Sequence, residues 1–308
     1  LLLNGHMDRV VRGVMEYGVP VTRALRWACY IGPQHYGLRD FGAIAPGFIA
    51  DFLLLDSLEE VRTSDVFIEG RQVVEDRKLV EPIADPLAGR EIRDTVNISA
   101  IETADFHIAA PIEDGRITVN ALELLPNRMT RIAPLELAVE KGVIRPEVLP
   151  EGWVMVSVVP RHGQGTRPVC VPLTGVGLTS GAIAHTVAHD CHNILVAGRS
   201  AGDMKAAVEA LKAMGGGFVL VDQGRVVAEV PLPFAGLMSF ESCEELSERI
   251  AFYNNEIRKR GVQPESARPI MVLTGLPLAV IPEVRPTDIY PLFDVVTQKP
   301  IPLFELVS

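Results

Sequence analysis

Residues 179–198 read TSGAIAHTVAHDCHNILVAG and bring His185, His189, Asp190 and His192 close together in a chain with only seven histidines. On a helix, His185 and His189 would share a face, with His192 one turn further on and Asp190 beside it, a spacing that metal ligands use. The same groups suit a catalytic or substrate-contacting cluster. A third reading is structural: His189 and His192 meet the free carbonyls of a helix end, and Asn193 caps it.

A second polar group stands in VVPRHGQG, residues 158–165, where an apolar strand ends in Arg161 and His162 beside two glycines. Strand ends of this kind bind ligands in α/β folds, although a surface turn explains them as well. The TGVGLTSG stretch at 174–181, which contains Ser180, has the look of a phosphate loop before a helix. It lacks the Walker lysine and the dinucleotide spacing, and Ser180 stands in no G-x-S-x-G elbow. The AMGGGFV stretch from Ala213 reads as a helix stop leading into a strand, with close approach to a ligand as the sharper alternative.

The elements that must position these groups follow from periodicity. Met7, Val10, Val11, Val14 and Met15 recur at helical spacing until Gly18, and a second helix begins at Thr22 and lasts until GPQHYGL breaks it. Then the character changes to strands, with a Glu-Gly turn inside VFIEGRQVVED. Residues 76–94, with prolines and a glycine among charges, look like a linker.

Beyond it ADFHIAA, GRITVNALEL, WVMVSVV and RPVCVPL read as strands, and residues 181–188 as a helix before the strand NILVAG. Asp203 is placed to cap a helix with Met204, Ala207, Val208, Leu211 and Met214 inward, closed by three glycines. FVLVDQGRVVAEV is a hairpin, and Ser242 with Glu245 forms a capping box for a helix with Leu246, Ile250, Tyr253 and Ile257 on one face. Strands interleaved with helices give an α/β class.

Composition limits the partners. The 308 residues are long enough for two domains, and the net charge of −10 repels nucleic acid. The one dense basic cluster, IRKRG at 257–261, ends a helix, where cations favour the dipole. No apolar run approaches the ~20 residues of a membrane span. The four cysteines form no CxxC pair, so neither a zinc ribbon nor a disulfide framework is expected and a reducing cytoplasm is the default. The chain opens on LLLNGHMDRV without Met, as the later part of a longer protein would.

Three separated stretches together carry a resemblance. They are residues 5–59, including GAIAPGFIAD; GLTSGAIAHTVAHDCHNILVAG with GGGFVLVDQGRVVAEVPLPFAGLMS; and LPLAVIPEVRPTDIYPLFDV. GAIAPGFIAD alone resembles the wider amidohydrolase superfamily, whereas the histidine block followed by the triple-glycine strand resembles adenine deaminases in particular.

The resemblance implies a (β/α)8 metal-dependent hydrolase barrel of which residues 1–41 are the last helical part, then a β-sandwich segment at 42–80, a linker at 81–94 and a family-specific α/β domain at 95–308. It implies hydrolysis of adenine to hypoxanthine and ammonia in purine salvage. A divalent metal, manganese or iron, would activate a hydroxide for attack at C6, with its ligands upstream of Leu1 and none in this chain. His189, Asp190, His192 and Asn193 match the family's His-Asp-Ser-His-Asn stretch, with Cys191 where serine is usual. His185 does not match and is not carried over, which counts against a three-histidine metal site.

The expected site is therefore His189, Asp190 and His192 as catalytic groups, with Arg161, His162, Ser180 and Asn193 on the substrate. A cytoplasmic homo-oligomer acting on a purine is expected, with no nucleic-acid or membrane partner, and these 308 residues alone are expected to be inactive. A related cyclic amidohydrolase and a non-catalytic ligand-binding or oligomerisation fragment are the alternatives.

Overall fold

The computed structural model describes residues 5–83, 95–263 and 268–304. The chain divides into two compact units, Leu1–Arg90 and Glu91–Ser308.

In the first unit α1 (Met7–Glu16) buries Val11 against Ala24 of α2 (Val21–Arg26) and Val61. Gly18 ends the first helix at a φ of +86°, a conformation that suits glycine. The second runs on through a wider π turn, Trp27–Ile31, into α3 (Gly32–His35). The expected break at GPQHYGL thus comes later, because Pro33 occupies the first turn of α3, where no intrahelical N–H is needed.

Strands β1 (Phe52–Ser57), β2 (Arg62–Ile68), β3 (Arg71–Glu75) and β4 (Lys78–Leu79) form an antiparallel sheet in chain order. Phe52 and Phe67 are directly paired across β1 and β2, and their rings stack at 4.4 Å. The linker expected from residue 76 therefore yields two residues to β4; its 84–94 part lies outside the described residues.

The second unit is built on one eight-stranded sheet. Before it, ADFHIAA gives a 3-10 turn, Thr103–Phe106, and then only the short β5 (Ile108–Ala109), so the strand expected there is mostly replaced by the turn. The sheet uses β6 (Gly115–Leu124), β7 (Thr130–Val139), β9 (Trp153–Val159), β10 (Val169–Thr174), β11 (Ala182–His185), β12 (Ile194–Gly198), β13 (Gly217–Asp222) and β14 (Arg225–Pro231), while β8 (Val143–Ile144) pairs with β5. Its order is β14-β13-β11-β12-β9-β10-β6-β7. Neighbours are antiparallel except β10 and β6, which are parallel. Both edges carry an interruption that discourages further pairing: Pro134 within β7, and in β14 an irregularity opposite Leu220 and Val221.

Each face of the sheet has its own core. On one, Ala182, Ala184, Val196, Val219 and Val221 pack with Met204, Ala207, Val208 and Leu211 of α4 (Ala201–Met214). On the other, Ile183, Leu195, Phe218 and Leu220 pack with Tyr253 and Ile257 of α5 (Cys243–Lys259) and with Ile270, Val272, Leu273 and Leu292 from the C-terminal segment. That segment adds β15 (Val284–Arg285), β16 (Phe293–Asp294) and β17 (Lys299–Pro300) as a small antiparallel sheet.

Residues 181–188 are not the expected helix. Ala182–His185 is a fully buried strand paired on both sides, to β12 and β13, so tertiary pairing overrides the helix propensity of its alanines. The small residues have a packing cause: a Cβ on Gly198, opposite Ala182, would lie 2.6 Å from Cγ of Met204. The helix can approach only because that face of the sheet is nearly flat. The cap of α4 is also corrected: Ser200 is the N-cap, accepting the Asp203 N–H at 3.3 Å, while the Asp203 carboxylate accepts the Gly224 N–H at 2.7 Å. The capping box at Ser242 and Glu245 forms as the sequence predicts.

Candidate functional site at the histidine turn

The chain leaves β11 at His185 and re-enters the sheet at Ile194, so residues 186–193 form the connection between two adjacent strands. His189, Asp190, Cys191 and His192 occupy a turn in which the His192 N–H returns to the Ala188 carbonyl at 2.6 Å. His192 has a left-handed φ of +48°, and its ring meets that of His189 edge-on at 5.8 Å.

Asp190 and Cys191 are exposed; His189 and His192 are half-buried. His192 is held below the usual imidazole pKa, first by desolvation and then by the neighbouring His189 and Arg161, and its Nδ1 has no hydrogen-bond partner among the described residues. A neutral imidazole with a free nitrogen can accept a proton.

Arg161 follows the end of β9 and is only 2% exposed. Its Nε–H donates to the His192 carbonyl, Nη2 to the Ala235 carbonyl at 3.0 Å, and Nη1 to Thr95 Oγ1 at 3.2 Å. Its backbone N–H donates to Oδ1 of Asn193 at 3.2 Å. Next to it, His162 is exposed, with Nε2 at 2.9 Å from the Cys191 carbonyl oxygen. Arg161, His192 and Asn193 are thus joined by direct contacts, His162 touches the intervening Cys191 carbonyl, and His189 meets His192.

Ser180 is not brought to this group. It precedes β11 at the opposite end from His185, and its hydroxyl donates to Asp222 at 3.2 Å, a carboxylate also paired with Arg260 at 2.9 Å. The phosphate-loop likeness of residues 174–181 fails in the same place, since a strand and not a helix follows.

His185 ends β11 with 2% exposure, its ring 5.2 Å from that of Phe218. Neither ring nitrogen makes a hydrogen bond of good geometry among the described residues, and burial pushes its pKa down to about 3, with His189 adding to the effect and a marginal contact with the Val187 backbone opposing it. Helical spacing, which would have put His185 and His189 on one face, does not apply. Among the described residues no group of three His, Cys, Asp or Glu side chains could hold a metal ion. The residues of this turn therefore do not fit a divalent metal.

Four positions that pattern reasoning missed support the turn. Thr186 is fully buried, accepting the Gly217 N–H at 2.8 Å and donating to the Gly236 carbonyl at 2.5 Å. Gly236 lies against Arg161, and a Cβ there would be 2.8 Å from Nη1. From the C-terminal segment, the Thr274 carbonyl accepts the His189 N–H at 2.9 Å and Asp288 accepts from the Asn193 amide at 3.3 Å. The triple glycine resolves here too: Gly215 closes α4 at a φ of +77°, while a Cβ on Gly216 would be 2.5 Å from Cα of Gly236. The close approach it allows is to the protein's own backbone.

With that geometry in place, comparison with known proteins assigns the class and then the family. Residues 4–73 match the amidohydrolase family, and residues 127–299 match the adenine deaminase C-terminal domain. Similar proteins include the adenine deaminase of Nitratidesulfovibrio vulgaris strain DP4, 38% identical over 299 residues, which are 96% of this chain and 50% of that protein. Adenine deaminase 2 of Carboxydothermus hydrogenoformans is 35% identical over 98% of this chain and 52% of its own length, and the Kosmotoga olearia adenine deaminase is 34% identical over 99% and 52%. The chain belongs to the adenine deaminase family, and it spans about half the length of the curated relatives it matches.

Proposed function

We propose that the protein carrying this chain hydrolyses adenine to hypoxanthine and ammonia, and that the turn bearing His189, Asp190 and His192 belongs to the site where this occurs. In the net reaction water oxygen bonds to C6 and the C6–amine bond breaks, so protons must leave the water and reach the departing amine. The observation that carries the reading is the union of family membership along nearly the whole chain with a polar turn held by a buried cation. His192, an imidazole whose pKa desolvation lowers, is of a type suited to proton exchange, and Asp190 suits accepting a purine N–H. His162 stands beside the same turn as a substrate contact. Arg161 and Asn193 serve substrate binding by holding that turn, because both are buried and already engaged.

Residues 1–41 are taken as the last helical part of a (β/α)8 barrel, the antiparallel strands within 42–80 as part of its companion β-sandwich, and the eight-stranded unit as the family-specific domain. Manganese or iron is the family's expected metal, held by residues other than these. A homo-oligomer in the cytoplasm fits a small-molecule salvage enzyme; no described helix is long and apolar enough to cross a membrane.

The test is steady-state kinetics with adenine on protein expressed from the complete reading frame, comparing wild type with Asp190→Asn. A fall of at least ~100-fold in kcat/KM with little change in Tm is expected, equivalent to about 2.7 kcal/mol of transition-state stabilisation. Unchanged kcat/KM in a destabilised variant would return the turn to a capping role. The 308 residues alone are expected to show no turnover.

A further inference from the structure

The histidine turn is gripped from two sides. Arg161 holds it from the end of β9 through the His192 carbonyl. The C-terminal segment holds it through the Thr274 carbonyl, which takes the His189 N–H, and through Asp288. Asn193 is the joint between the two sides. It is 1% exposed, and its Oδ1 is engaged by the Arg161 N–H, which turns its NH2 group toward Asp288.

Asp288 is itself delivered by a braced loop. Arg285, fully buried, donates to the carbonyls of Ile281, Arg128 and Pro282 at 2.8, 3.1 and 3.1 Å. Thr287 then fixes a tight turn, its Oγ1 accepting the N–H groups of Ile289 and Tyr290 and its own N–H reaching the Tyr290 carbonyl at 2.8 Å. The carboxylate is half-exposed with one oxygen on Asn193, and its charge also reaches the Cys191 thiol.

We propose that Asp288 is a positioning residue of the histidine turn, acting through the Asn193 amide to hold His189 and His192 in place. The inference rests on the reading that this turn serves the adenine site. Its route is a hydrogen bond to a buried amide, so an uncharged acceptor at position 288 can replace the carboxylate. Removing the acceptor leaves a buried N–H pair without a partner and frees the turn on one side.

The experiment uses the 308-residue chain, with imidazole nitrogen–proton NMR and amide exchange of His189 and His192 beside thermal melts. Asp288→Ala is expected to move both ring signals and to speed exchange of the two amides by at least ~10-fold, as local opening predicts. Asp288→Asn, which keeps an acceptor, should stay within about threefold of wild type. Asn193→Ser should reproduce Asp288→Ala, and combining the two should add almost nothing, as for residues on one route.

Unmoved ring signals in Asp288→Ala, whatever its Tm, would overturn the proposal, as would an Asp288→Asn disturbed as much as Asp288→Ala. Adenine turnover of the same variants in the complete protein separates the two readings. Ring signals that respond while kcat and KM do not would leave Asp288 as the brace and remove the turn from catalysis.

Discussion

The Nε–H of Arg161 donates to the carbonyl of His192, so a guanidinium buried at the end of β9 anchors the connection between β11 and β12. Among the described residues no carboxylate pairs with this cation; carbonyl and hydroxyl oxygens of His192, Thr95 and Ala235 surround it instead. Its burial is tolerable only because a planar fork can reach several acceptors at once.

A lysine has one point of charge where Arg161 has a fork. Arg161→Lys is therefore expected to lower stability by about 1–3 kcal/mol, since at least two part-buried carbonyls lose their donor. Urea unfolding followed by circular dichroism measures this, and a loss below about 0.5 kcal/mol would mean that the surrounding oxygens are satisfied in other ways.

Gly236 tests the same anchor from its other side. Its φ is +71°, and an added Cβ would meet Arg161 Nη1 at 2.8 Å and Thr186 Oγ1 at 3.1 Å. Gly236→Ala should cost about 1–3 kcal/mol, combining backbone strain with displacement of a buried donor. A mutation to alanine at Gly152, also left-handed at +82° but with open space around it, separates the strain alone. If both substitutions cost the same, contact with Arg161 contributes nothing.

Ser180 discriminates between the two ends of β11. It bonds to Asp222 away from the histidine turn, so in the complete protein Ser180→Ala should leave kcat/KM for adenine within about twofold while removing roughly 0.5–1 kcal/mol of stability for one part-buried hydrogen bond. A large loss of turnover at unchanged Tm would bring Ser180 back to the substrate.

How much of this was legible beforehand depended on whether the cause was local. The Ser242–Glu245 capping box, the Gln223–Gly224 hairpin turn and the glycine stop of α4 are written in a few adjacent residues, and each forms. Residues 182–185 misled because Ala-Ile-Ala-His is locally helical in character, while its small side chains answer to α4 packing across the sheet. The site divides in the same way. The histidines and Arg161 stand out by residue type, but Asp288 lies 95 positions beyond the amide it binds, and only the fold of the C-terminal segment joins them.

Burial of His185 ties the stability of the fold to pH. Its folded pKa is pushed down to about 3 by burial, whereas an unfolded histidine titrates near 6.5. Between those values the unfolded chain binds the proton and the folded chain does not, so the stability this group contributes is present above about 6.5 and is lost as pH falls toward 3. The slope is about 1.4 kcal/mol per pH unit in that window. His107 and His192 are also lowered, chiefly by burial, and tilt the curve in the same direction. His185→Leu isolates the one group, because the other two histidines remain in both proteins. With no ring hydrogen bond of good geometry to lose, only a marginal approach to the Val187 backbone, the variant should be within about 1 kcal/mol of wild type at pH 7. At pH 5 it should have gained about 2 kcal/mol relative to wild type, which retains the cost of keeping a histidine neutral. Urea midpoints at pH 7, 6 and 5 decide it: stability curves that run parallel would show that His185 takes up its proton in the folded chain without penalty, and that the ring is less shut in than its 2% exposure indicates.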